Sequence, residues 1–138
     1  MGERQLNILL VEDDEVDVMN VRRAFERNNV SNPLFVAGNG LEALEMLRNG
    51  TVPSERRLVL LDLNMPKMNG IEFLQALRAD AELASTPVVV LTTSNDDQDK
   101  IDAYNLNVAG YLLKPVTFSS FCERMTTLNK YWTLVEMP

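Results

Sequence analysis

Five short aliphatic runs recur along the chain, each followed by a segment of helix length. They are Leu6–Val11, Leu34–Ala37, Leu58–Leu61, Val88–Leu91 and Tyr111–Leu113. Each is strand-sized and almost wholly apolar, so each reads as a strand buried on both faces. Apolar residues recur at helical spacing between them: Val18, Val21 and Phe25; Leu41, Leu44 and Leu47; Ile71, Leu74 and Leu77; Phe118, Phe121, Met125 and Leu128. Asp96, Asp97 and Asp99 suit the start of the remaining helix, because acidic groups complement its dipole. Loop signals fall between the elements, at Asn28-Asn29, Ser31-Asn32-Pro33, Gly38-Asn39-Gly40, Asn49-Gly50 and the polar stretch Thr51–Arg57. Strands separated by helices need crossover connections, and these make the sheet parallel. The expected fold class is therefore α/β, a doubly wound five-stranded parallel sheet of (βα)5 form.

Composition narrows the chemistry. The 138 residues fit a single domain, with 46% hydrophobic and 24% charged residues. The net charge of −7 argues against nonspecific nucleic-acid binding, which needs a basic surface. The absence of histidine excludes Ser-His-Asp triads and histidine metal ligands. The lone cysteine, Cys122, has no partner for an internal disulfide and fits a small buried residue. The N-terminus lacks the pattern of a secretory signal, and no apolar run approaches the roughly 20 residues of a membrane helix. A cytoplasmic protein with no membrane contact is expected.

In open α/β sheets, ligands bind beyond the carboxyl ends of the strands. Glu12-Asp13, Asp62, Thr92 and Lys114 directly follow four of the five runs. Folding would gather three carboxylates, a hydroxyl and an ammonium in one crevice. One lysine does not neutralise three carboxylates, and a divalent cation would. All-oxygen ligands favour Mg²⁺, with Mn²⁺ as a substitute, over zinc. Magnesium with carboxylates points to phosphoryl chemistry, in which a carboxylate can become an acyl phosphate. Asp62, ending the third strand, is the candidate nucleophile. Glu12 and Asp13 are candidate metal ligands. Lys114 and Thr92 are placed to meet phosphoryl oxygens.

These residues resemble the receiver domain of two-component response regulators. Ile8-Leu9-Leu10-Val11-Glu12-Asp13-Asp14 is similar to that family's acidic strand-one motif. Leu60-Leu61-Asp62-Leu63-Asn64-Met65-Pro66-Lys67-Met68-Asn69-Gly70 resembles its phosphoacceptor loop. Leu91-Thr92-Thr93-Ser94 resembles its switch segment, and Ala109-Gly110-Tyr111-Leu112-Leu113-Lys114-Pro115 its Lys-Pro motif. The resemblance covers roughly residues 5–130. It implies a flavodoxin-like sheet of strand order 2-1-3-4-5, an order the handedness and length of the elements do not supply. It implies that Asp62 accepts a phosphoryl group from a sensor histidine kinase or a phosphotransfer protein. Glu12, Asp13, Asp62 and the backbone carbonyl of Asn64 would arrange Mg²⁺. Lys114 would contact the phosphoryl group, Thr92 would move toward it, and Tyr111 would follow as a second switch residue.

The whole span 1–138 is expected to be one receiver domain, a phosphoacceptor signalling protein rather than an enzyme, though slow loss of its own phosphoryl group is compatible with it. Residues 128–138 form an apolar, aromatic ending, with Tyr131, Trp132, Leu134 and Val135. That ending, and Asn32-Pro33-Leu34 before the second strand, resemble phytochrome-associated single-domain regulators. The likeness implies a phytochrome-type kinase and a homodimer. No output domain is expected after the last helix, so the signal would pass to a protein partner. Two other readings stand beside this one. A haloacid-dehalogenase-type phosphotransferase also uses an aspartyl phosphate, but needs a second aspartate where this chain has Asn64. A receiver-shaped scaffold that is never phosphorylated would have lost an acidic residue or the lysine.

Overall fold

The computed structural model describes residues 6–27, 32–65, 67–114 and 118–134. Pro66, Pro115, Val135 and the helix stop expected at Asn28-Asn29 lie outside them. Five strands and five helices alternate: β1 (Asn7–Val11), α1 (Glu15–Arg27), β2 (Leu34–Ala37), α2 (Gly40–Arg48), β3 (Arg57–Leu61), α3 (Gly70–Ala79), β4 (Val88–Thr92), α4 (Asp97–Asn105), β5 (Gly110–Leu113) and α5 (Phe118–Leu134). The strands form one sheet in the order β2-β1-β3-β4-β5, and all four pairings are parallel. This is the flavodoxin-like order that the resemblance implied.

Side chains alternate across a strand, so each strand feeds two cores. Leu9, Val11, Val59, Leu61, Val88 and Val90 face one side, against Leu44 and Leu47 of α2, Phe73, Leu74 and Leu77 of α3, and Ala103 of α4. Ile8, Leu10, Leu58, Leu60, Val89 and Leu91 face the other, against Val21, Ala24 and Phe25 of α1 and Cys122 and Met125 of α5. Burial on both faces explains why β1, β3 and β4 read as unbroken apolar runs, whereas the edge strands β2 and β5 are mostly half-buried, not fully buried as expected, with a sheet neighbour on one side only. α5 continues to Leu134, so the beginning of the apolar ending is helical.

Local chemistry starts the helices where the sequence suggests. Asn69 caps α3 through a reciprocal box: its Oδ1 accepts from the Glu72 N–H at 2.9 Å, and Glu72 Oε1 accepts from the Asn69 N–H at 3.1 Å. Asn39 caps α2 and Asp96 caps α4 without the reciprocal bond, their side-chain oxygens accepting from backbone N–H groups of the first turn. Asp14 Oδ1 accepts from the N–H groups of Val16 and Asp17 in the first turn of α1. The third strand begins one residue earlier than the apolar run, at Arg57. Its guanidinium reaches the carbonyls of Leu47, Val52 and Pro53, tying the end of α2 to the following loop. Arg78 does the same elsewhere, donating to the carbonyls of Ala84, Thr86, Leu106 and Asn107. These arginines donate to carbonyls of loops and, at Leu47, of a helix end.

The loop after β3 is held against α3. The Gly70 N–H donates to the Leu63 carbonyl at 3.0 Å. A Cβ at Gly70 would lie 2.6 Å from Leu63 Cα and 2.8 Å from the Asp62 carbonyl oxygen, too close for any side chain. Gly70→Ala is therefore expected to destabilise the fold by about 2 kcal/mol or more. Urea unfolding should show a lower midpoint with an unchanged slope. A midpoint equal to wild type would mean that the Asp62 loop yields freely.

Candidate functional site

The site lies where four neighbouring strands end, β1, β3, β4 and β5. β1 and β3 are in register, Val11 opposite Leu61, so Glu12 and Asp62 emerge side by side. The ladders run one bond past the strands: the Asp62 N–H donates to the Val11 carbonyl and the Glu12 N–H to the Ala37 carbonyl. On the other side, the Lys114 N–H donates to the Thr92 carbonyl at 2.8 Å. Backbone hydrogen bonds thus fix the base of each functional side chain.

Asp62 is 5% exposed, and both of its carboxylate oxygens are engaged. Oδ1 accepts from the Thr92 hydroxyl at 2.7 Å and from the Asn64 backbone N–H at 3.3 Å. Oδ2 accepts from Lys114 Nζ at 3.3 Å. Thr92 is fully buried and belongs to β4 itself, which runs one residue past the end at Leu91 expected from the apolar run. Glu12, 3% exposed, accepts from Lys114 Nζ at 2.7 Å through Oε2 and from the Asp14 N–H at 3.1 Å through Oε1. Asp13 is exposed. One carboxylate oxygen from each of Glu12, Asp13 and Asp62 lies within 4.8 Å of the other two, a spacing that suits a shared cation. The structure therefore brings Glu12, Asp13, Asp62, Thr92 and Lys114 into one crevice.

Two features were not read from the residues. The third donor bond of Lys114 goes to Asp17 Oδ2 at 2.7 Å, from the first turn of α1. An acidic residue in the helix that follows an acidic strand end was the available signal. The second is a polar chain leading away from Thr92. The Ser94 N–H donates to Thr92 Oγ1 at 3.3 Å, and the Ser94 hydroxyl donates to Asp99 Oδ2 at 2.6 Å, in the first turn of α4. Tyr111 joins this chain: it packs half-buried against the core and donates its hydroxyl to the Ser94 carbonyl at 2.8 Å.

The electrostatics follow from crowding. Burial pushes the Glu12 carboxyl up to about 7, and the nearby Asp62 charge adds to the rise, while the hydrogen bonds from Lys114 and Asp14 oppose it. Burial also opposes the Lys114 charge, but the hydrogen bonds to Asp17 and Glu12 outweigh it and hold the ammonium above the ordinary lysine range. Burial raises the Tyr111 phenol, with the hydrogen bond to Ser94 opposing and Asp99, Asp96 and Asp62 adding to the shift. One ammonium among several carboxylates leaves negative charge in excess, which a divalent cation would offset.

The family description for the response regulator receiver domain matches residues 8–126. The chain belongs to that family. Its members are signalling proteins of two-component systems. Among curated relatives, it is 40% identical over 127 residues to the probable methanogenesis regulatory protein FilR2 of Methanothrix harundinacea, covering 91% of this chain and 82% of that one. It is 34% identical over 128 residues to the response regulator Rcp1 of Synechocystis, covering 91% and 87%. Of solved structures, the phosphorylated cyanobacterial phytochrome response regulator RcpA superposes with a TM-score of 0.86 at 32% identity, covering 98% of this chain and 99% of that one. The Mn²⁺-bound form of Rcp1 superposes with a TM-score of 0.82, covering 95% and 97%. Among the described residues no helix is long and apolar enough to cross a membrane.

The Glu12 shift has a pH consequence. Its folded value near 7 lies above the ordinary 4.5, so the neutral form is the one the fold favours. That contribution is complete below pH 4.5 and is lost as pH rises through 7. Thermal melts of the metal-free protein should show stability falling across this window. Glu12→Gln should flatten the fall, and saturating Mg²⁺ should reduce it in the wild type. An undiminished fall in Glu12→Gln would assign the effect to another group.

Proposed function

We propose that this receiver is a phosphorylation switch whose acceptor is Asp62. The observation that carries the reading is the double engagement of one buried carboxylate. Thr92 holds one Asp62 oxygen and Lys114 the other, at the end of the central strand. Asp62 attacks the phosphorus of a phosphohistidine on a sensor kinase. The P–N bond breaks, an acyl phosphate forms, and the leaving imidazole takes a proton. Lys114 then donates to a phosphoryl oxygen, and the Thr92 hydroxyl turns from the carboxylate to another. Mg²⁺ bound among Glu12, Asp13, Asp62 and the Asn64 carbonyl would screen the charge of the incoming phosphoryl group. Mn²⁺ would serve in the same place, and the Mn²⁺-bound form of Rcp1 supports that expectation.

The switch runs outward along the bonds already described. When Thr92 reorients, the Ser94 backbone loses its acceptor and Tyr111 loses the geometry of its own bond to the Ser94 carbonyl. The face carrying α4 and β5 is thereby reshaped for a protein partner. The likeness to RcpA supports a kinase of the phytochrome type, met in the cytoplasm. A homodimer belongs to the same proposal, and the exposure of Tyr131 near the end of α5 supports it. Asn64 stands two residues after Asp62, where a dehalogenase-type transferase needs an acid, and this weighs against a turnover enzyme.

Incubation with acetyl phosphate and Mg²⁺ should add one phosphoryl group to the intact mass. Asp62→Asn and a chelated sample should add none. A folded wild type that accepts no phosphoryl group, either from acetyl phosphate or from a phosphorylated histidine kinase, would leave the scaffold reading in its place.

A further inference from the structure

Lys114 has three N–H donors, and three carboxylates take them. The bonds to Glu12 and Asp17 are 2.7 Å, and the bond to Asp62 is 3.3 Å. The ammonium therefore sits nearer to α1 than to the acceptor. Two of its partners have other work in the proposed switch. Glu12 and Asp62 both belong to the cation-sized carboxylate group, and Asp62 loses its charge when it becomes an acyl phosphate. Asp17 stands outside that group of three. It is also fixed by its own element, because its N–H donates to the Asp14 cap at the start of α1.

We propose that Asp17 is the positioning residue for Lys114. It is the carboxylate that keeps the ammonium over the strand ends while Glu12 and Asp62 change partners. In the resting state it shares Lys114 with them. When the phosphoryl group arrives, the long bond to Asp62 is the one exchanged, and Lys114 donates that hydrogen to a phosphoryl oxygen. The bond to Asp17 persists through the exchange. Without it, a flexible four-carbon stem would have to be ordered by the phosphoryl group alone, at an entropic cost. The side chain of Asp17 is one-third exposed, so it can hold the lysine without being sealed into the crevice.

This inference rests on phosphorylation at Asp62, and the test separates the two. Wild type, Asp17→Asn and Asp17→Glu are phosphorylated with acetyl phosphate across a range of donor and Mg²⁺ concentrations. Asp17→Asn is expected to slow uptake at saturating donor about tenfold, the size of effect seen when a supporting residue behind a direct contact is removed. Its Mg²⁺ affinity, measured by titration calorimetry, should stay within about twofold of wild type, because Asp17 is not a ligand. Asp17→Glu, which keeps the charge, should recover most of the rate. Thermal unfolding of Asp17→Asn, Lys114→Met and the double variant gives a second reading that needs no phosphorylation. The two effects should be non-additive, since the residues share one ion pair. Uptake by Asp17→Asn equal to or faster than wild type would overturn the inference, as would a tenfold loss of Mg²⁺ affinity or strict additivity. A wild type that accepts no phosphoryl group would overturn the reading beneath it as well.

Discussion

A parallel sheet covered on both faces leaves few places for polar chemistry. Every strand interior in this chain is committed to one of two apolar cores, so an ionisable group there would be buried without a partner. Polar side chains are therefore displaced to the strand ends, where the backbone ladder still fixes their bases and solvent can still reach. Glu12, Asp62 and Lys114 stand there for that reason. The strand order then decides which ends meet. With β1 and β4 flanking β3, Glu12 falls on one side of Asp62 and Thr92 on the other.

Gathering those groups creates an electrostatic problem that the site resolves only in part. Lys114 bridges Glu12, Asp17 and Asp62, and burial strengthens each of these bonds. Burial raises the Glu12 pKa and the Asp62 charge adds to it, whereas the hydrogen bonds to Asp17 and Glu12 raise that of Lys114 against the effect of burial. Acids outnumber the base, so the ammonium is over-stabilised while one buried carboxylate is under-compensated. A site left with excess negative charge is suited to receive a divalent cation. The same polar chain continues through Thr92 and Ser94 to Asp99 and Tyr111. α4 is the helix at its far end, and Ala103 is its one buried residue. A helix with so little apolar anchorage can respond to a polar rearrangement at its first turn.

Much of this was legible in the residues because the fold leaves regular traces. Two-sided burial makes Leu58–Leu61 and Val88–Leu91 unbroken apolar runs, and these gave the strands to within a residue or so. Caps such as Asn69 and Asp96 act over three or four residues, so short-range pattern exposes them. The polar residues that end the strands were visible because each interrupts an apolar run. Asp17 was not visible in this way. Its contact with Lys114 spans 97 positions and depends on how α1 is rotated on the sheet. Nothing in the sequence sets Arg57 and Arg78 apart, yet each binds several backbone carbonyls, and those of Arg78 lie up to 29 positions away. Long flexible side chains carry no periodicity that announces such roles.

By itself, the sequence determined that this chain forms strand–helix repeats and that its chemistry gathers at strand ends, because hydrophobic periodicity and capping are local properties of the chain. Tertiary structure decided the rest. It chose which strand ends are neighbours, buried Glu12 while leaving Asp13 exposed, and brought Asp17 to Lys114. Those outcomes depend on helix rotation and strand order, which are set by packing both cores at once, and no stretch of sequence encodes them alone.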